Sequence, residues 1–148
     1  MKKNGLPGLV IIVIAALVLI TAYRIMRPSG GHITPAAFIT PTTFAEASAA
    51  SAADGRPVLA FVTADWCGPC QSFKSGTLAN PAITELLLAK SHPVLIDVTS
   101  DNPEAAPLKV FSIPTMLVFK DGHEVARLEG GANVSKLRSW FEAATKTN

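Results

Sequence analysis

The sequence predicts an α/β domain with a mixed central β-sheet and helices on both faces, led by one N-terminal transmembrane helix. Three observations point there. Apolar runs at Val58–Thr63, Pro93–Val98 and Thr115–Lys120 alternate with stretches of helical periodicity, the order that builds α/β layers. Asp121-Gly122 separates the third run from a short strand pattern at Glu124–Leu128, a hairpin signal that makes the sheet mixed rather than all parallel. Ahead of everything, residues 6–23, LPGLVIIVIAALVLITAY, carry no charge over 18 positions.

That first run is long enough for a helix that nearly crosses a bilayer core. Lys2 and Lys3 also suit the basic head of a cleaved secretory signal. The run exceeds the usual signal core of ~7 to 15 residues, however, and Tyr23-Arg24-Ile25-Met26-Arg27 stands where a small-x-small cleavage site belongs. An uncleaved anchor over residues 1–27 is expected, with membrane lipid as its partner through residues 6–23. Lys2, Lys3 and the α-amino group against Arg24 and Arg27 favour an inside N-terminus. Residues 28–41, free of charge and rich in Pro, Gly, Ser and Thr, read as a flexible tether, and the folded domain occupies 42–148.

Within that domain Thr43-Phe44-Ala45-Glu46 has the spacing of a capping box, opening an Ala/Ser-rich helix that runs to Asp54 and stops at Gly55. Val58–Thr63 is apolar throughout rather than alternating, as a strand covered on both faces would be. A short helix follows from Cys67 and weakens at Ser75-Gly76. Asn80-Pro81 opens the next, with Ile83, Leu86, Leu87 and Lys90 in an amphipathic pattern. After the hairpin, Val134, Leu137, Trp140, Phe141 and Ala144 recur on one face of a closing helix, which assigns Trp140 to the core.

Charge excludes one class of function. The net charge is +2, but four of the thirteen basic residues flank the N-terminal apolar run. The remainder is mildly acidic and has no Lys/Arg cluster, so no nucleic-acid partner is expected.

Both cysteines lie in Ala64-Asp65-Trp66-Cys67-Gly68-Pro69-Cys70. A structural zinc site needs four ligands, and His32, His92 and His123 show no ligand spacing around this single pair; no metal is expected. A staple closing two residues would stabilise little. Electron exchange has a positive mechanism. At a helix start the unpaired N–H groups and the dipole favour a thiolate at Cys67, below the free thiol value of ~8.5. Cys70, one turn along and facing inward, is placed to resolve a mixed disulfide. Gly68 permits close approach of another backbone, and Pro69 removes an N–H that has no partner in a first turn.

Trp66-Cys67-Gly68-Pro69-Cys70 after a buried strand, with Ile113-Pro114-Thr115 about 45 residues on, resembles the thioredoxin superfamily over roughly residues 42–145. TADWC, NPAI and IDVTSDNP are most similar to the C-terminal soluble domain of DsbD-type thiol:disulfide interchange proteins. The resemblance implies a thioredoxin-like fold, a cis Pro114 against the two sulfurs, and backbone hydrogen bonds from Ile113 to a bound peptide. A trans proline at a strand start is the alternative. By the same resemblance Trp66 shields the active-site rim; simple packing is its other reading. Asp65 ends the strand and solvates the helix start.

The departures carry information. Phe61 stands where thioredoxins place a buried Asp, Lys74 where DsbD-type domains have a further acid, and Leu95 where thioredoxins often have a buried Lys. With less negative charge near Cys67, its thiolate should form readily while the resolving step lacks a carboxylate to take its proton.

The expected function is a membrane-tethered thiol:disulfide oxidoreductase that reduces protein disulfides, its only redox group being the Cys67–Cys70 disulfide. A thioredoxin-like module holding a partner protein or a soft metal without turnover is the alternative. Since the anchor has no cysteine, a separate membrane or soluble electron donor is required. The resemblance places the domain on the extracytoplasmic, periplasmic side of an inner membrane.

Overall fold

The computed structural model describes residues 6–26, 33–40 and 42–146. These form two units, one within residues 1–32 and one from Ile33 onward. The first is a single helix, α1 (Leu6–Met26), whose side chains are described over residues 8–23. Leu9, Ile11, Ile12 and Leu19 are all exposed. Among the described residues no helix is long and apolar enough to cross a membrane. This contradicts the expected placement at the periplasmic side of an inner membrane, and neither a spanning helix nor lipid contact is found among the described residues. Lys2, Lys3 and Arg27, on which orientation rested, lie outside the described residues, as do residues 28–32 and 41 of the expected tether.

The second unit is built around a four-stranded sheet of β1 (Val58–Thr63), β2 (His92–Asp97), β3 (Thr115–Lys120) and β4 (His123–Glu129), in the order β2-β1-β3-β4. β1 runs parallel to β2, with Ala60 opposite Val94, and antiparallel to β3, with Ala60 opposite Leu117. Its central place explains its composition. All six β1 residues are buried: Leu59 and Phe61 face a core shared with Met116 and Val118, while Val58, Ala60 and Val62 face one shared with Leu117, Val94 and Ile96. Antiparallel β3 and β4 meet at Asp121 and Gly122, with φ of 52° and 76°, the positive pair that a two-residue hairpin turn requires.

Helices cover both faces. α2 (Phe44–Asp54) begins with the full capping box: Thr43 N–H donates to Glu46 Oε2 at 2.8 Å and Glu46 N–H donates to Thr43 Oγ1 at 3.2 Å. It ends at left-handed Gly55, whose N–H donates to the Ser51 carbonyl. Its Ala47 packs under Val58, Ala60 and Val62. On the other face lie α3 (Gly68–Ser75), α4 (Pro81–Lys90) and α5 (Val134–Lys146), which contribute Phe73, Ile83, Leu87, Leu137, Phe141 and Ala144. Asn80 caps α4 by accepting from Ala82 N–H at 3.0 Å, next to Pro81 in its first turn. Trp140 is only partly buried and packs against this core from its edge, because the α5 face is centred on Leu137 and Phe141.

The segment expected to be a tether is folded where described. Ala36–Phe38 forms a 3-10 turn with Ala37 and Phe38 buried. The Phe38 ring lies 5.6 Å from that of Phe61, which in turn meets Phe73 edge-on at 5.9 Å. Linker-like composition concealed one aromatic plug.

Candidate active site

β1 delivers the cysteines. After Thr63 the chain turns through Ala64, Asp65 and Trp66, and Gln71 straps that turn from the following helix: its Nε2 donates to the carbonyls of Ala64 and Asp65, both at 3.2 Å. Asp65 N–H donates to Thr99 Oγ1 at 2.8 Å, tying the turn to the chain beyond β2. Cys67 is the N-cap of α3, with extended backbone at φ −85° and ψ 100°. Its carbonyl accepts from Gln71 N–H at 3.1 Å, and its sulfur accepts from Cys70 N–H at 3.1 Å. A helix start thus aims a backbone donor at the first sulfur, as the spacing predicts. Gly68 and Pro69 are exposed in the first turn, and a Cβ added at Gly68 would meet open space.

Cys67 and Cys70 form a disulfide. Cys67 is 5% exposed and Cys70 0%, so the outer sulfur is the one a macromolecule can approach. Ala64, Val98 and Ile113 pack around the pair, an apolar lining. The Ile113–Pro114 bond is cis, as the resemblance implied, and the Ile113 carbonyl oxygen lies 3.8 Å from Cys67 Sγ. Two hydrogen bonds hold this loop: Thr115 Oγ1 donates to the Ser112 carbonyl at 2.7 Å, and Gly130 N–H donates to the Pro114 carbonyl at 2.8 Å. The cysteine pair and the Ile113–Pro114 loop therefore meet at one end of the sheet.

Four further side chains bear on the sequence reading. Trp66, next to Cys67 in the chain, is 70% exposed. Phe61 is fully buried between Phe38 and Phe73, a setting in which a carboxylate would be desolvated among rings. Lys74 is buried in α3 one helical turn beyond Cys70. Phe111, two residues before Ile113, is 92% exposed and was not singled out from sequence; an aromatic outside any periodic pattern, just ahead of Ile-Pro, was the available signal. His92 pairs with Asp54 at 2.9 Å, away from the sulfurs in sequence and fold, and His32 lies outside the described residues. Among the described residues no three His, Cys, Asp or Glu side chains cluster as a metal site.

A family model described as thioredoxin-like matches residues 39–120. The thioredoxin of Mycobacterium tuberculosis is 36% identical over 84 residues, 55% of this chain and 68% of that protein. Among solved structures, a thioredoxin from Thermus thermophilus superposes with a TM-score of 0.60 at 26% identity, covering 70% of this chain and 85% of its own. The oxidised C-terminal domain of DsbD from Neisseria meningitidis gives 0.59 at 27% identity, covering 68% and 90%.

Proposed function

This chain belongs to the thioredoxin-like family and is a thiol:disulfide oxidoreductase, and we propose that it works as a protein-disulfide reductase with Cys67 attacking and Cys70 resolving. The observation that carries the reading is the Cys70 N–H donated to the more exposed sulfur, Cys67. A donor aimed at a sulfur at a helix start stabilises its anion, and the thiolate is the nucleophile in disulfide exchange.

In the reduced protein the Cys67 thiolate attacks one sulfur of a substrate disulfide. That S–S bond breaks, a new Cys67–substrate disulfide forms, and the departing substrate sulfur leaves as a thiolate that takes a proton from water. Cys70 then loses its proton and attacks Cys67 Sγ. The second substrate thiolate departs and the Cys67–Cys70 disulfide is restored. Two electrons have passed to substrate, and a separate donor, soluble or membrane-bound, must return them. Trp66 and the Ile113–Pro114 loop flank the sulfur on which substrate docks, with Ile113 backbone groups available to an extended peptide and Gly68 leaving room above the disulfide. This chemistry uses no metal or organic cofactor.

Insulin reduction tests the reading. Turnover driven by dithiothreitol, lost in Cys67→Ser, is expected; stoichiometric partner or soft-metal binding without turnover would instead support a binding module.

A further inference from the structure

We propose that Phe111 selects substrates, favouring protein disulfides whose cysteine lies near an apolar residue of a locally unfolded segment; this rests on the reductase reading above. A single exposed apolar side chain is ordinary on a protein surface, so the placement of Phe111 matters more than its exposure. At 92% exposure Phe111 is the most exposed large apolar side chain among the described residues.

The loop that carries it is braced on both sides. Upstream, Arg127 Nη2 donates to the Leu108 carbonyl at 2.9 Å and Nη1 to the Lys109 carbonyl at 3.3 Å. The same guanidinium is fixed by Glu124 through contacts of 2.8 and 2.7 Å. Lys109 then turns through a left-handed conformation at φ 49°, and Val110 packs against the sheet core. Downstream, the Ser112 carbonyl is held by Thr115 Oγ1. Phe111 is therefore presented by anchored neighbours on either side of it, which lowers the ordering cost of binding.

Its position relative to the chemistry supplies the occupant. The Ile113 carbonyl is 3.8 Å from Cys67 Sγ, and Phe111 lies two residues back along the same loop. A segment joined to Cys67 as a mixed disulfide must run past this loop. At ~3.3 Å per residue in extended form, a side chain about two to four positions from the attacked cysteine comes within reach of the Phe111 ring. An apolar side chain there is covered together with Phe111; a serine gains nothing. A folded protein rarely offers such a side chain beside an accessible disulfide, whereas an unfolded segment does, and a small disulfide such as oxidised glutathione has none.

The test compares two otherwise identical disulfide peptides, one with Leu and one with Ser three positions from the attacked cysteine, reduced by the full chain. The wild type is expected to prefer the Leu peptide about tenfold in kcat/KM. Phe111→Ser should bring that ratio close to one, and Phe111→Leu should retain most of it. General damage to the fold lowers both rates and leaves the ratio in place, so a ratio unmoved by Phe111→Ser overturns the proposal, as does a wild type without preference. Failure of the wild type to reduce either peptide removes the reductase reading itself.

Discussion

The backbone N–H of Cys70 donates a 3.1 Å hydrogen bond to the sulfur of Cys67, so the helix that carries the second cysteine also solvates the first. In the reduced protein this donor persists, because it belongs to the backbone. The Cys67 thiol is therefore expected to titrate below the free value of ~8.5. Alkylation of Cys70→Ser by iodoacetamide as a function of pH measures it directly. A midpoint below about 8 is the expected outcome, and one at or above ~8.5 would show that the bond does not favour the anion.

Gln71 should matter more than its exposure suggests. Its amide holds the Ala64 and Asp65 carbonyls at 3.2 Å, and these residues set where Cys67 enters α3. Gln71→Met keeps the volume and removes both donors. A loss of roughly 1 to 2 kcal/mol in stability follows from two such bonds, with kcat/KM for insulin lowered about three- to tenfold because a displaced nucleophile reacts slowly. Urea unfolding and the insulin assay read the two effects separately. Unchanged kinetics would confine Gln71 to a structural role.

Phe38 marks where the folded unit begins. Its ring sits 5.6 Å from Phe61 in the main core, so Phe38→Ala is expected to cost about 3 to 5 kcal/mol, the range for a buried aromatic. A chain starting at residue 42 should be weakened comparably relative to one starting at Ile33. A loss below ~1 kcal/mol in urea unfolding would return residues 33–40 to the status of a tether.

These examples show what was legible in the sequence and what was hidden. The capping box at Thr43, the stop at Gly55, the Asn80-Pro81 start and the Asp121-Gly122 turn are local signals, and each element begins or ends where its signal stands. The cysteine pair was equally readable, since a four-residue motif contains its own geometry. Hidden were contacts made between distant parts of the chain: Phe38 entering the core from linker-like surroundings, Trp140 half out of it, and the Gln71 strap. Exposure of Trp66 and Phe111 was hidden for the same reason. An apolar residue reveals its surroundings in sequence only when neighbours repeat its period, and neither has such neighbours.

The two ends of α2 should contribute to acid sensitivity. Hydrogen bonds from the Thr43 backbone and side chain hold the Glu46 carboxyl below its usual range. His92, then the Arg56 backbone and side chain, hold Asp54 well below it. Both carboxyls have lower pKa folded than unfolded, so their stabilisation is present above about pH 4 and is lost as pH falls toward the folded values. Asp54→Asn should melt below wild type at pH 6, with the gap closing as pH drops below ~4. A gap that stays constant down to pH 2 would mean that the Asp54 charge is not what stabilises.

Lys74 offers the sharpest electrostatic test of the site. It is 2% exposed, in α3, four residues after Cys70. Residues four apart share a helix face, and helical side chains lean toward the N-terminus. Lys74 thus shares a face of α3 with Cys70, and the residues packed around the cysteine pair, Ala64, Val98 and Ile113, are apolar. A cation near a forming thiolate favours it, and low polarity strengthens the effect. Lys74→Met preserves most of the apolar stem, and replacing a buried charge by an apolar group of similar volume seldom unfolds a protein. Its alkylation midpoint at Cys67 should rise by about half to one unit, equivalent to ~0.7 to 1.4 kcal/mol. Release of substrate from the mixed disulfide, which requires the Cys70 anion, should slow as well. Quenched-flow trapping of that intermediate gives its lifetime, and a lifetime and midpoint both unchanged in Lys74→Met would show that the ammonium is not felt at either sulfur.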